Sequence, residues 1–340
     1  MPHCVLISFQ AAIFIILLCL PRIGLSQVLL PTLRISVENA PTHVQTMAVR
    51  RFAEELTTRL EGVLDVKFSD SAQLYRDRDV FTALREGKLE MAVPGTWQVA
   101  RFESNISLFL LPEFYGRSAN ATYKVLQSSV GKELNTRIEQ ALGVVIVGTW
   151  LDLGYANLFS TNKKITSLHD IQGMRIRVAG GRANELRLQA AGAETLTIPW
   201  PDFPLWLGKR EVDGVLTTYE TIRSAKLWEK GLAFAYEDKE YFPQYIPIIN
   251  RRFWSKLPQN VRETIIECWE NAAEWEHGAA VHAQQEARNT LKRNGIAIVT
   301  PSQEELTSAR TFLLKYQDDI VKKLGLDQNL VMRSIELLHE

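Results

Sequence analysis

Arg175 and Arg177 are the side chains whose type and spacing most plainly offer chemistry in this chain. They alternate with Met174, Ile176 and Val178, the period of a short strand, which sets both guanidinium groups on its non-apolar face. A guanidinium held on a strand presents two parallel N–H donors, the fork that fits a carboxylate. An ordinary ion pair is the alternative for either arginine, and spacing alone does not say which of the two would face a ligand. The run Ala179-Gly180-Gly181 comes next, between strand and helix. Its N–H groups are placed for an anion or for a close-packed turn, and it lacks the spacing of a dinucleotide fingerprint or a P-loop. His277 and His282 are five residues apart, without the H-E-x-x-H arrangement that aligns two imidazoles. No nucleophile elbow and no Ser, His and acid grouping stands out. Neither a metal nor a cofactor is expected.

The elements that must position these arginines alternate in type. Leu33, Ile35 and Val37 alternate as a strand, and Val44, Met47, Ala48, Phe52, Leu56 and Leu60 recur at helical spacing up to Gly62. A strand over Leu64, Val66 and Phe68 follows, then a helix over 79–87, a strand over 91–93, and a fully buried strand over 143–150. The pattern restarts at Ser167, where a Ser cap and Asp170 open a short helix before the arginine strand. A helix over 183–191 and strands over 195–198 and 212–216 complete this second unit. Strands alternating with helices imply an α/β sheet in each half. From Pro258 to Asn294 the composition is helical with only Gly278 as a breaker. A helix of about 35 residues is roughly 50 Å long, more than one domain, so it should run across both halves. The end, PSQEELTSARTFLLKYQDDIVKKL, has Ser302 and Glu305 as a capping box and reads as a surface helix closing the structure.

The chain has 340 residues, more than one core usually takes, and 39 basic against 39 acidic side chains. That balance argues against a general affinity for nucleic acid or anionic membrane, and points to small or specific partners. Residues 1–26 carry an apolar run ending at Leu20, with Gly24 and Ser26 at small-residue spacing before Gln27. They read as a cleaved signal peptide for export to the periplasm, an uncleaved anchor being the competing reading. With cleavage, Cys4 and Cys19 leave, and Cys268 alone remains, a small buried hydrophobe in a helical pattern.

The segments GMRIRV, EVDGVLTTYE and SAKLWEK resemble the solute-binding proteins of the tripartite ATP-independent periplasmic (TRAP) transporters, the dicarboxylate-binding P subunit family. RISVENAPTHVQTMAVRRFAEELTTRLEG, FSDSAQLYRDRDVFTALREGKLEMAVPGT and NRRFWSKLP extend the resemblance over nearly the whole mature chain. The resemblance implies a two-lobed periplasmic binding protein fold with a long helix spanning both lobes. Lobe I would comprise residues 27–154 and 243–282, and lobe II residues 155–242 and 283–340. It implies that Arg177, the second arginine of the pattern, holds a ligand carboxylate. It brings Asp79 and the Gly95–Trp97 turn, with Thr96 and Trp97, from the first lobe, and Asn157, Trp200 and Thr217 from the second. Trp200 would stack on the ligand body, while Asn157 and Thr217 would hydrogen-bond a carboxylate or hydroxyl.

Two positions depart from the better-known members. Asn157 stands where many carry a further arginine, and Thr217 stands where asparagine is common. Both lower the charge or polarity suited to a dicarboxylate, so a monocarboxylic keto or hydroxy acid is expected, with Trp97, Trp200, Tyr219 and Tyr245 giving the site aromatic character. The implied function is that of an extracytoplasmic subunit that captures a small organic acid by hinge closure and delivers it to the small and large integral membrane subunits of a TRAP transporter. Catalysis is not part of it. The rivals are a periplasmic enzyme on a similar scaffold, with Asp79 or Glu220 as the base, and a sensory binding protein.

Overall fold

The computed structural model describes residues 30–339. The leader read over residues 1–26, with Cys4 and Cys19, lies outside them. No helix among the described residues is long and apolar enough to cross a membrane.

Thirteen strands follow one another among the described residues: β1 (Thr32–Ser36), β2 (Asp65–Ser69), β3 (Met91–Ala92), β4 (Val144–Ile146), β5 (Leu151–Asp152), β6 (Ala156–Ser160), β7 (Arg175–Val178), β8 (Glu194–Thr197), β9 (Gly214–Thr217), β10 (Phe234–Tyr241), β11 (Gln244–Tyr245), β12 (Ile248–Asn250) and β13 (Ala297–Val299). They form a sheet in the order β2-β1-β3-β12-β4, a second in the order β13-β10-β6-β9-β7-β8, and a two-stranded β11-β5 ribbon. β1 pairs in parallel with β2 and β3, and β7 in parallel with β8 and β9, as helical crossovers require. Each large sheet anchors one lobe. The β5–β11 ribbon pairs Asp152 with Gln244 and Leu151 with Tyr245, so the two crossings between lobes lie side by side.

The first lobe forms because Leu33 and Ile35 on β1 meet Ala48, Phe52 and Leu56 of the helix Val44–Arg59, all buried. Trp269 closes this core, its ring edge-on to Phe52 at 5.2 Å and its indole N–H donating to the Thr149 carbonyl at 2.8 Å. Trp269 belongs to the helix Gln259–Arg293, which has 35 residues. Val261 to Ala273 of this helix pack in the first lobe's core, and Ala287 and Leu291 pack in that of the second. It therefore spans both lobes as its uninterrupted helical composition predicts. Gly278 lies open within it, with no neighbour where a Cβ would stand, and does not break it. Cys268 is fully buried in the same core.

Two sequence expectations change. The segment 143–150 contains only the three-residue β4, whose Val145 and Ile146 are half-buried, because β4 is the edge strand of its sheet. The segment expected as one final helix is two, Gln303–Leu314 and Gln317–Leu324, and a third, Gln328–His339, follows it. Its apolar positions serve different cores. Leu306 and Leu313 pack on the second sheet with Ile176, whereas Ile320, Val321, Leu330 and Val331 pack with Leu134 and Ile138 in the cluster that covers Val144 and Ile248 of the first. The chain must turn between them, at Lys315–Tyr316 and again at Gly325, whose φ of 62° suits glycine. Residues 328–339 thus lie against the helices Ala119–Leu126 and Ser129–Leu142 of the first lobe, while Gln317–Leu324 also lies against Arg182–Ala190 of the second.

Candidate functional site

The parallel strands of both sheets end on the same space. Glu38 and Asn39 follow β1, Asp77 lies beyond β2, Trp97 follows β3, Ala179 to Gly181 follow β7, and Thr217 closes β9. All line one cavity of about 420 Å³ between the lobes. This is where α/β sheets place ligands, outside the carboxyl ends of their strands.

Arg177 occupies the floor. It is 2 % exposed, with Nε donating to the Ile198 carbonyl at 2.9 Å and Nη2 buried without a partner. Its guanidinium lies 5.7 Å from the centre of the Trp200 ring and 4.9 Å from that of Phe203. Burial lowers its pKa to about 10, while Glu38 and Tyr241 pull it back up. The side chain is therefore a cation at neutral pH, held in place on one side and unsatisfied on the other. A buried unpaired donor is costly unless a ligand completes it.

Arg175, two residues earlier on the same strand face, is spent. It grips Asp213 through Nε at 3.0 Å and Nη2 at 2.9 Å, and its backbone N–H adds a bond of 2.9 Å to the same carboxylate. The bidentate contact raises the Arg175 pKa and lowers that of Asp213.

The far wall is aromatic. Gly95 caps the short helix Thr96–Val99 and lets the Trp97 indole fold back over it, where a Cβ on residue 95 would stand 2.3 Å from the ring. The ring meets Tyr245 edge-on at 5.6 Å. Gly180 and Gly181, with φ of 140° and 80°, let the chain after β7 pass close to Trp97. The lobes are in contact here: Gln98 Nε2 donates to the Ala179 carbonyl at 3.2 Å, and Arg76 bonds Asp202 at 2.8 Å.

The structure brings together Arg177, Trp97, Trp200, Thr217 and Tyr245 of the residues singled out from the sequence, beside the Ala179–Gly181 run. Thr96 is buried at the start of its helix and is not among the cavity-lining residues. Asp79 is exposed beside Arg78, just before the helix Val80–Arg85. Asn157 donates to the Tyr155 carbonyl and accepts from the Lys239 N–H. Tyr219 donates to Glu237 at 2.8 Å. Both line a separate recess beside the long helix. Glu220 is fully buried and doubly bonded to Arg223, so neither proposed base lines the Arg177 cavity. Sequence reasoning missed Glu38, Asn39 and Asp77. The signal available was position, since each lies beyond the carboxyl end of a parallel strand.

A family model for bacterial extracellular solute-binding proteins, family 7, matches residues 35–324. The chain is 24 % identical over 291 residues to the C4-dicarboxylate-binding periplasmic protein DctP of Rhodobacter capsulatus, covering 84 % of this chain and 85 % of that one. It is 22 % identical to the 2,3-diketo-L-gulonate-binding periplasmic protein YiaO of Escherichia coli K12, covering 79 % and 81 %. The fold is similar to the crystal structure of a TRAP periplasmic solute-binding protein from Ralstonia eutropha H16 with bound (S)-2-acetolactate, at a TM-score of 0.83 and 22 % identity over 91 % of this chain and 98 % of that one.

Proposed function

The chain belongs to the bacterial extracellular solute-binding proteins of family 7, and on that premise we propose that it captures a small carboxylate between its lobes, with Arg177 as the clamp, for delivery to the small and large membrane subunits of a TRAP transporter. The observation that carries this reading is the Arg177 guanidinium, buried in the cavity lining with no hydrogen-bond partner for its terminal nitrogens among the described residues. A ligand carboxylate completes it with a charge-assisted hydrogen bond. Trp97 and Trp200 supply flat apolar walls for the rest of the molecule. The relatives that bind dicarboxylates and sugar acids support the class of ligand.

Closure adds to the affinity. A cavity sealed by contacts between lobes excludes water, and the arginine-carboxylate attraction grows as the local dielectric falls. The ligand favours the closed form by as much as it binds that form better than the open one.

A thermal-shift screen of the exported protein against mono- and dicarboxylates, sugar acids and neutral sugars, repeated with Arg177→Ala, tests the reading. The expected result is an acid that raises the midpoint of the wild type and not of the variant. Stabilisation by a neutral sugar, or by an acid whose effect survives Arg177→Ala, overturns it.

A further inference from the structure

Two carboxyl groups share the interior of the cavity with Arg177. Asp77 is 6 % exposed, Glu38 is half-buried, and the Asp77 backbone N–H donates to Glu38 Oε1 at 3.1 Å. Neither makes a salt bridge among the described residues, within the 4.0 Å at which every other ion pair here is found. Burial raises both pKa values, and the Glu38 charge raises that of Asp77 further.

The three other cations on the cavity are exposed, and two of them are paired. Arg78 is exposed beside Asp79 at 3.5 Å, Arg182 bonds Glu185, and Arg101 lies 5.7 Å from the centre of the Phe102 ring. The interior thus holds one cation and two acids, and the terminal nitrogens of Arg177 have no partner among the described residues. A plain carboxylate would satisfy Arg177 and leave both acids on the cavity without a cationic partner, and a dicarboxylate would bring a further acid group beside them.

We propose that Glu38 and Asp77 form a subsite for a cationic nitrogen, so that the ligand is an amphoteric acid with its carboxylate on Arg177 and its basic nitrogen on the acidic pair. This rests on the reading of Arg177 as the carboxylate clamp, and it narrows the keto- or hydroxy-acid expectation to a nitrogen-bearing acid. An ammonium group offers N–H donors to both carboxyls and supplies the charge that the interior lacks. Aromatic faces beside the site suit a cation as well, since Trp97 and Tyr245 line the same wall.

Matched pairs that differ only in nitrogen against hydroxyl test the proposal: alanine with lactate, phenylalanine with phenyllactate, β-alanine with β-hydroxypropionate, and γ-aminobutyrate with γ-hydroxybutyrate. Calorimetric titration of the wild type should favour the amino member of the best-fitting pair by about tenfold or more. In Glu38→Gln/Asp77→Asn that ratio falls toward one, and in Arg177→Ala neither member binds. Should the double variant fold poorly, Glu38→Gln alone, at the half-exposed position, must still lower the ratio. Equal or tighter binding of the hydroxy members, or no response to the amino series at millimolar concentration, overturns the inference while leaving the arginine clamp intact. Binding that survives Arg177→Ala overturns the clamp instead.

Discussion

Arg76 Nη1 donates to Asp202 Oδ2 at 2.8 Å across the mouth of the cleft, joining the loop before Asp77 to the turn that carries Trp200. The two residues are 126 positions apart and belong to different lobes. Both side chains remain over a third exposed, so the bond is modest and screened by salt.

Breaking this bond should loosen the closed form. Arg76→Ala or Asp202→Ala is expected to weaken ligand binding by about two- to fivefold, the effect of an exposed pair. The exchange Arg76→Asp/Asp202→Arg should restore most of the loss. Small-angle scattering of the ligand-free single variants should give a larger radius of gyration than the wild type.

Arg177 separates charge from geometry. Arg177→Lys keeps the cation and loses the planar fork and the Nε bond to Ile198, whereas Arg177→Ala loses all three. Loss of binding by about 2–5 kcal/mol is expected for alanine, and a smaller loss for lysine, measured by titration calorimetry with the acid identified in the screen.

Gly95→Ala should injure the site through packing. The added methyl would lie 2.3 Å from the Trp97 ring, which must swing away from its place beside Tyr245. A stability loss of about 1–3 kcal/mol is expected from overpacking, together with a drop in affinity and a change in tryptophan fluorescence.

Arg187 and Glu240 form an ion pair 1 % and 0 % exposed, in which Arg187 Nε donates at 2.6 Å. Asp238 shares the enclosure, its carboxyl raised well above the usual range by burial and by Glu240. Arg187→Ala should destabilise the fold by about 3–5 kcal/mol in chemical denaturation, because it strands Glu240 without its cation. Adding Glu240→Leu to Arg187→Met should recover a large part of that loss.

Glu276 on the long helix is fully buried, accepts the Asp152 N–H at 3.0 Å, and has its pKa raised to about 9 by burial. The folded state therefore keeps a proton that the unfolded chain releases above its ordinary carboxyl pKa. Between those two values the folded state binds more protons, so stability contributed at this residue falls as pH rises. Glu276→Gln should raise the unfolding free energy at pH 8 by about 1 kcal/mol or more, and the gain should vanish as the pH approaches the ordinary carboxyl value near pH 4. Melting curves across that range decide it.

The α/β alternation, the spanning helix and the arginine strand were all legible in the residues, since each rests on local periodicity that burial enforces. Met174, Ile176 and Val178 had to face a core, and the unbroken 35-residue helix had no other way to fit two lobes. Tertiary structure decided which arginine was free. Arg175 and Arg177 share one strand face, but Asp213 sits beside the first and the opposite lobe closes over the second. It also decided that Asn157 turns to the backbone of its neighbours, and that Glu38 and Asp77, 39 residues apart, meet in one cavity. The last two helices followed the same logic: their apolar residues were visible in the chain, but not which sheet they would cover. Periodicity reports how deeply a residue is buried. Which residue lies opposite depends on closure between distant segments, and no local pattern in the chain encodes that.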